Sequence, residues 1–282
     1  GTNAGAGQNV AVGYGTLDAN MTADADSNTG VGYIALSAVT SGASNTALGS
    51  GAAALLTSGS FNIIIGASAG DAIVDSSSHV LIGTGAGGNG DIASDGATGV
   101  GHLALHALTS GVQNTAVGYQ SMSETTQGGY NTAIGYNVMY RDNGAANTSN
   151  TFIGANAASG DWTGAACTSN TGVGAGVMQS AMNGATNNTA VGLDGLNAIT
   201  TGDNNTAIGR SSTDAMTTGV QNTAVGAFSL STSQAANNCV AIGYNAMNAL
   251  NTQEGSVAVG MEALNALTSG EANTAIGFKA LD

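Results

Sequence analysis

The sequence predicts an all-β, parallel β-solenoid of sixteen short coils. Three observations carry that reading: a motif close to Asn-Thr-Ala-Val-Gly returns throughout the chain, its copies are most often 17 residues apart, and β-branched residues flank it in fixed register. The motif glycines fall at 13, 32, 49, 66, 83, 101, 118, 135, 154, 174, 192, 209, 226, 243, 260 and 277, so residues 1–282 read as one uninterrupted repeat array.

The residue before each motif glycine is Val, Ile or Leu in every copy, and two positions earlier stands Thr, Val or Ile. Residues at i and i+2 of a strand share a face, and β-branched side chains suit a pleated surface. This pair is therefore expected to point into the core, with the small residue between them, usually Ala or Gly, facing the other way. The column opening the motif is Asn in twelve copies, among them Asn45, Asn114, Asn205 and Asn273, with His79, Ala97, Cys239 and Ser256 in the others. Stacked coils would let these amides hydrogen-bond from coil to coil. The glycine after the strand marks a bend or a close backbone approach.

The second half of the unit, as at Tyr33 to Gly42, has apolar spacing of i, i+3, i+4 and i+7, which alone would suggest a short helix. Stacking argues against one. Paired strands advance about 4.8 Å per coil, whereas packed helices need roughly 8–10 Å between axes, so short strands and turns are expected instead. Longer coils take their extra residues between this segment and the next Asn, around Asp24 to Ser27, Gly144 to Ser149 and Trp162 to Ser169. Such a corner reads as an exposed edge.

Composition narrows the function. Gly numbers 45, Pro is absent, 7% of residues are charged and 42% are hydrophobic, with the apolar residues too regularly placed for disorder. No run approaches the roughly 18 apolar residues of a spanning helix, so no membrane span is expected. A net charge of −14, with Arg141, Arg210 and Lys279 as the cations, argues against nucleic acid as a partner. Cys167 and Cys239 lie about four coils apart, on the order of 20 Å, too far for a disulfide within one chain.

The copies Asn9-Val-Ala-Val-Gly13, Val240-Ala-Ile-Gly243 and Ser256-Val-Ala-Val-Gly260 resemble the head-domain repeat of trimeric autotransporter adhesins, Asn-Ser-Val-Ala-Ile-Gly, and similar arrays occur in phage tail fibres. The resemblance touches every coil but only about five residues of each, and the unit here is longer. It implies a left-handed roll, three chains packing their apolar faces together, and a surface that binds host matrix or cells.

Several constellations match catalytic or binding patterns yet fall in register with the repeat. Gly66-Ala-Ser-Ala-Gly70 has the form of a nucleophile elbow around Ser68, and Gly83 to Gly88 has the form of a dinucleotide loop, but neither has room for the helix each requires. His102 and His106 would share a face only on a helix, and no third ligand stands in their coil. Asp24 with Asp26, and Asp91 with Asp95, are weak calcium candidates; otherwise no cofactor, metal or catalytic residue is expected, and the chain is not read as an enzyme. Tyr14, Tyr33, Tyr119, Tyr136, Tyr244 and Phe278 follow the motif glycine and should form partial aromatic ladders. Trp162, the only Trp, lies in the longest coil and is the residue expected to meet a ligand or partner.

The expected function is therefore a structural or adhesive fibre module, extracellular, cell-surface or virion-borne, that self-associates and binds a cell-surface or carbohydrate receptor. A phage tail-fibre shaft or receptor-binding segment is one alternative, an ice-binding solenoid another. Ice binding needs outward Thr rows, and free exchange of Thr with Val and Ile in the column of Thr46, Thr115, Thr206 and Thr274 argues that this column points inward. Neither end shows an atypical capping coil, and joining residue 282 of one copy to residue 1 of the next would space the motif glycines by 18 residues, so head-to-tail continuation is also expected.

Overall fold

A computed structural model describes residues 7–141, 146–162, 164–249, 254–266 and 270–281. Among them there is no helix; the described residues form a β-solenoid with sixteen three-residue parallel strands. Residues 1–137 form one compact unit and residues 138–282 a second. The first unit carries β1 (Val10–Val12), β2 (Thr29–Val31), β3 (Thr46–Leu48), β4 (Ile63–Ile65), β5 (Val80–Ile82), β6 (Thr98–Val100), β7 (Thr115–Val117) and β8 (Thr132–Ile134). The second carries β9 (Thr151–Ile153), β10 (Thr171–Val173), β11 (Thr189–Val191), β12 (Thr206–Ile208), β13 (Thr223–Val225), β14 (Val240–Ile242), β15 (Val257–Val259) and β16 (Thr274–Ile276).

Within each unit every strand pairs with its sequence neighbours, column on column: Thr46 opposes Thr29 and Ile63, and Thr206 opposes Thr189 and Thr223. The glycine closing each strand has a structural reason. In the left-handed region at φ +134, a Cβ on Gly209 would lie 2.6 Å from the carbonyl carbon and oxygen of Gly226 in the next coil. Each coil thus sits on the backbone of the next at this bend, with no room for a side chain.

The Ala-Leu segment is a run of turns. Its second and fourth residues after the motif glycine take left-handed φ even when they are not glycine, as at Ile34 (φ 50) and Leu36 (φ 51). This alternation sends successive N–H groups to opposite neighbours: Ile34 N–H reaches Tyr14 O in the preceding coil at 2.8 Å, and Leu36 N–H reaches Ala52 O in the following coil at 3.1 Å. Left-handed φ costs an L-residue roughly 1–2 kcal/mol, which these inter-coil bonds and burial of the side chain offset. Ala35, Leu36 and Val39 are all fully buried, giving apolar spacing that resembles a helix's without one.

The core is narrow and filled by a few columns: the Asn column, the middle residue of the strands from β2 to β16, and the Ala, Leu and Met of the turn segment. Bulk at one column is matched by its absence at another. Where the strand middle is Ile64 or Leu81, the facing turn position is glycine: a Cβ on Gly70 would lie 3.1 Å from Ile64 Cδ1, and one on Gly87 would lie 2.8 Å from Leu81 Cδ1. Close-packed interiors require such reciprocity.

Candidate functional site

The Asn column fixes which side of each strand faces in. Asn45, Asn62, Asn188 and Asn205 are almost fully buried. Asn205 Nδ2 donates to Asn188 Oδ1 at 3.0 Å and to Gly219 O at 2.7 Å, while the Asn205 N–H also donates to Asn188 Oδ1 at 3.0 Å. The ladder anticipated from the sequence is present, and it lies inside the coils. Alternation then puts the strand's middle residue inside as well, and its first and third residues outside.

This reverses the expectation for the β-branched pair. Ala47, Ala116 and Ala207 are buried, while Leu48 is 47% exposed, Ile208 41% and Ile276 72%. The physical reason is the narrow interior: between the Asn ladder and the turn segment there is space for Ala or Gly, and for Ile, Leu or Phe only where a partner column gives way. The outward columns hold two side chains per strand over sixteen strands, and every one is Thr, Val, Ile or Leu. The Thr column of Thr46, Thr115, Thr206 and Thr274 is therefore outward, and its exchange with Val and Ile is exchange on the surface and not in the core.

Aromatic residues lie just past the strand. Tyr14 stacks on Tyr33 with centroids 5.6 Å apart, and Tyr119 stacks on His102 at 5.2 Å and on Tyr136 at 5.5 Å. Farther along, Arg210 lies over the Phe228 ring at 4.4 Å. Rings stacked face to face cover one another's faces and offer solvent their edges, an arrangement that extends the apolar surface beside β1–β2 and β6–β8.

Trp162, expected at an exposed corner, is instead 1% exposed and packs edge-on against Phe152, centroids 5.9 Å apart. Phe152 is the bulkiest strand-middle residue, and Gly172 in the next strand makes room for it. Trp162 is a core filler where the longest coil widens. Its neighbour Cys167 and the distant Cys239 are buried thiols. Burial pushes the Cys239 thiol pKa up. Ala25 is likewise buried within the first long coil, so the inserted corners contribute to the core as well as to the surface. Residues 142–145, part of another such corner, lie outside the described residues.

The remaining sequence matches resolve into packing. Gly70 and Gly87 answer Ile64 and Leu81 in the core, while Gly66 and Gly83 are the bend glycines of the repeat, so both patterns follow from packing. Burial pushes the Asp71 carboxyl above its usual range against a lowering influence from Ser68, and His106 Nδ1 lies 2.9 Å from Gly85 O. His102 is in the aromatic stack, so the two imidazoles do not converge. Asp26 Oδ1 accepts the Ser27 N–H, Asp91 Oδ1 the Val74 N–H and Asp95 Oδ1 the Ser77 N–H, at 2.7, 3.1 and 2.7 Å. The chain matches no protein-family model and no curated protein sequence.

Proposed function

We propose that the chain is a structural module of an extracellular fibre, borne by a cell or a phage, and that copies of it associate through the outward Thr/Val/Ile face. The observation that carries this reading is the composition of that face: exposed positions ordinarily drift to polar residues, yet none of these columns holds a charged or amide side chain. Depletion of charge within an otherwise exposed patch is the compositional mark of an interface core, and contiguous apolar patches on soluble chains mark interaction sites. In each unit eight strands at about 4.8 Å make this face on the order of 34 Å long. In the adhesin heads that the repeat resembles, apolar faces pack between three chains, which supports the same use here. Receptor binding would then fall to the sides left uncovered.

The test is the mass of the purified chain in solution by light scattering or sedimentation. Association is expected, to persist at high salt because the contact is apolar. Ile208→Lys with Val225→Lys should give monomers with an unchanged circular dichroism spectrum. A wild-type chain that stays monomeric at high concentration would refute the reading. One observation favours a second reading: the outward Thr residues recur at strand spacing, as an ice-binding surface would require. A monomer showing thermal hysteresis would decide for that alternative.

A further inference from the structure

In the first unit the Asn ladder is interrupted by an imidazole. His79 occupies the Asn column, is fully buried, and its own N–H donates to Asn62 Oδ1 at 2.9 Å as an Asn's would. Its Nδ1 takes the part of the missing Asn Oδ1: the Ala97 N–H of the next coil points at it from 3.1 Å. A backbone N–H can only donate, so Nδ1 carries no proton. The neutral ring must then hold its proton on Nε2, which lies 2.8 Å from Ser76 Oγ and donates to it. Ser76 stands in a column that is Gly or Ala in most coils, such as Gly42, Gly59, Gly111 and Gly202. Ala97 has no side-chain acceptor to carry the ladder on, so between these two coils the side-chain ladder consists of this imidazole, beside the backbone bond from Val80 N–H to Ala97 O at 3.0 Å.

We propose that His79 is an acid-sensitive latch between the fifth and sixth coils: neutral, it accepts the Ala97 N–H and holds the two coils together, and on protonation it sets N–H against N–H and parts them. The groups around the ring are Asn62 from the preceding coil, Ser76 from its own, and Ala97 and Asp95 from the following one. Asp95 is the charge that acts on the ring and favours its protonated form, while burial, the larger influence, disfavours it. Burial prevails, and the folded-state pKa lies below the ordinary 6.5. Because the unfolded or opened chain binds the proton more readily, the latch contributes its full stability above about pH 6.5. That contribution is lost as pH falls from there through the folded pKa. The inference does not depend on what the outward face binds.

Backbone hydrogen exchange of the whole chain, read by mass spectrometry from about pH 7.5 to about pH 5 and corrected for intrinsic rates, tests it. Protection of peptides spanning residues 76–98 should fall by up to about tenfold per pH unit below about pH 6.5, then level off once the folded imidazole titrates. His79→Asn restores the ladder residue and should abolish this dependence while keeping protection at neutral pH. Flat wild-type protection, or the same fall in His79→Asn, overturns the proposal. Nitrogen NMR of the wild-type ring gives an independent reading: the proton should sit on Nε2 at neutral pH, and a proton on Nδ1 would overturn the latch without any variant having to fold.

Discussion

Replacing the motif glycine Gly209 by Ala tests the claim that each coil rests on bare backbone at its bend. Two costs arise. Ala at φ +134 occupies a region that L-residues rarely visit, which costs on the order of 1–3 kcal/mol. The new Cβ would also lie 2.6 Å from Gly226 C and O, so reaching an ordinary contact of about 3.4 Å requires the coils to separate by roughly 0.8 Å. That shift would stretch the 2.7 Å bond from Gly226 N–H to Ile208 O beyond a useful length, with a loss of about 1 kcal/mol for it and a similar loss for any neighbouring bond that follows. The total is about 3–5 kcal/mol. Gly255→Ala in the same unit is the control. Gly255 has φ +68 with no atom within 4 Å of a Cβ, and it stands in a column where fourteen of sixteen coils already hold a non-glycine residue at positive φ. Its cost should be about 1 kcal/mol or less. Urea unfolding read by circular dichroism, with slopes compared to confirm a common unfolded state, gives both numbers. Equal midpoints for the two variants would refute the backbone-contact account of the repeat's glycine.

Trp162→Ala should cost about 3–5 kcal/mol in the same assay, the range for emptying a large buried aromatic site, and should leave the association state unchanged; a mild effect on stability with lost association would return Trp162 to the surface. Asn188→Ala should cost about 2–4 kcal/mol, because it leaves Asn170 Oδ1, Gly202 O and the Asn205 amides short of partners, whereas Cys239→Asn should gain about 1 kcal/mol by extending the ladder one rung beyond Asn222. Thermal unfolding of the pair checks both signs. Cys239, with its thiol pKa raised by burial, should react with a disulfide reagent at about pH 8 only after denaturant is added, and rapid labelling of the native chain would contradict its burial.

The period, the strand positions and the glycine bend were legible because each recurs sixteen times and leaves a column, as was the Asn ladder, which recurs in twelve copies. The facing of the strand was misread because β-branched residues suit either side of a pleat, and three residues offer too short an alternation to choose between sides. Two signals in the sequence could have decided it. Asn and the strand-middle residue are two apart, so a buried ladder obliges Ala to be inside with it. Ile64 with Gly70 and Leu81 with Gly87 exchange volume between facing columns, and Phe152 with Gly172 between neighbouring coils of one column, which only core positions do. Trp162 was misplaced for a related reason: an insertion was taken as surface, whereas Phe152 in the preceding strand had already widened the core there. The left-handed turn segment left almost no trace, since Ile34, Leu36 and Met122 occupy φ values that sequence rules reserve for glycine. The coil-to-coil hydrogen bonds that permit this appear only once the coils are stacked.

These features bear on one another. A coil whose interior columns are largely Ala, Gly and Asn buries little apolar surface per residue, so packing contributes less than in a globular core and the backbone and amide ladders must specify the stack. Ladders of this kind are satisfied only while neighbouring coils stay in register, which makes each coil's stability a property of its neighbours and leaves the weakest rung to set where a unit opens. In the described ladder the rungs at His79, Ala97, Cys239 and Ser256 are the ones without an amide, and they fall in two adjacent pairs, His79 with Ala97 in the first unit and Cys239 with Ser256 in the second. Meanwhile the Val, Ile and Leu side chains and the Thr methyls of the two outward strand columns stand where the chain alone gains little from them. A second copy laid against that face would bury what the narrow coil cannot, and would hold adjacent coils together across the same rungs. The test of this coupling is the Ile208→Lys and Val225→Lys chain: it should be monomeric and should also unfold at lower urea than the wild type, with a midpoint independent of concentration, whereas the wild-type midpoint should rise with concentration. A wild-type midpoint that ignores concentration would separate stability from assembly and remove the link.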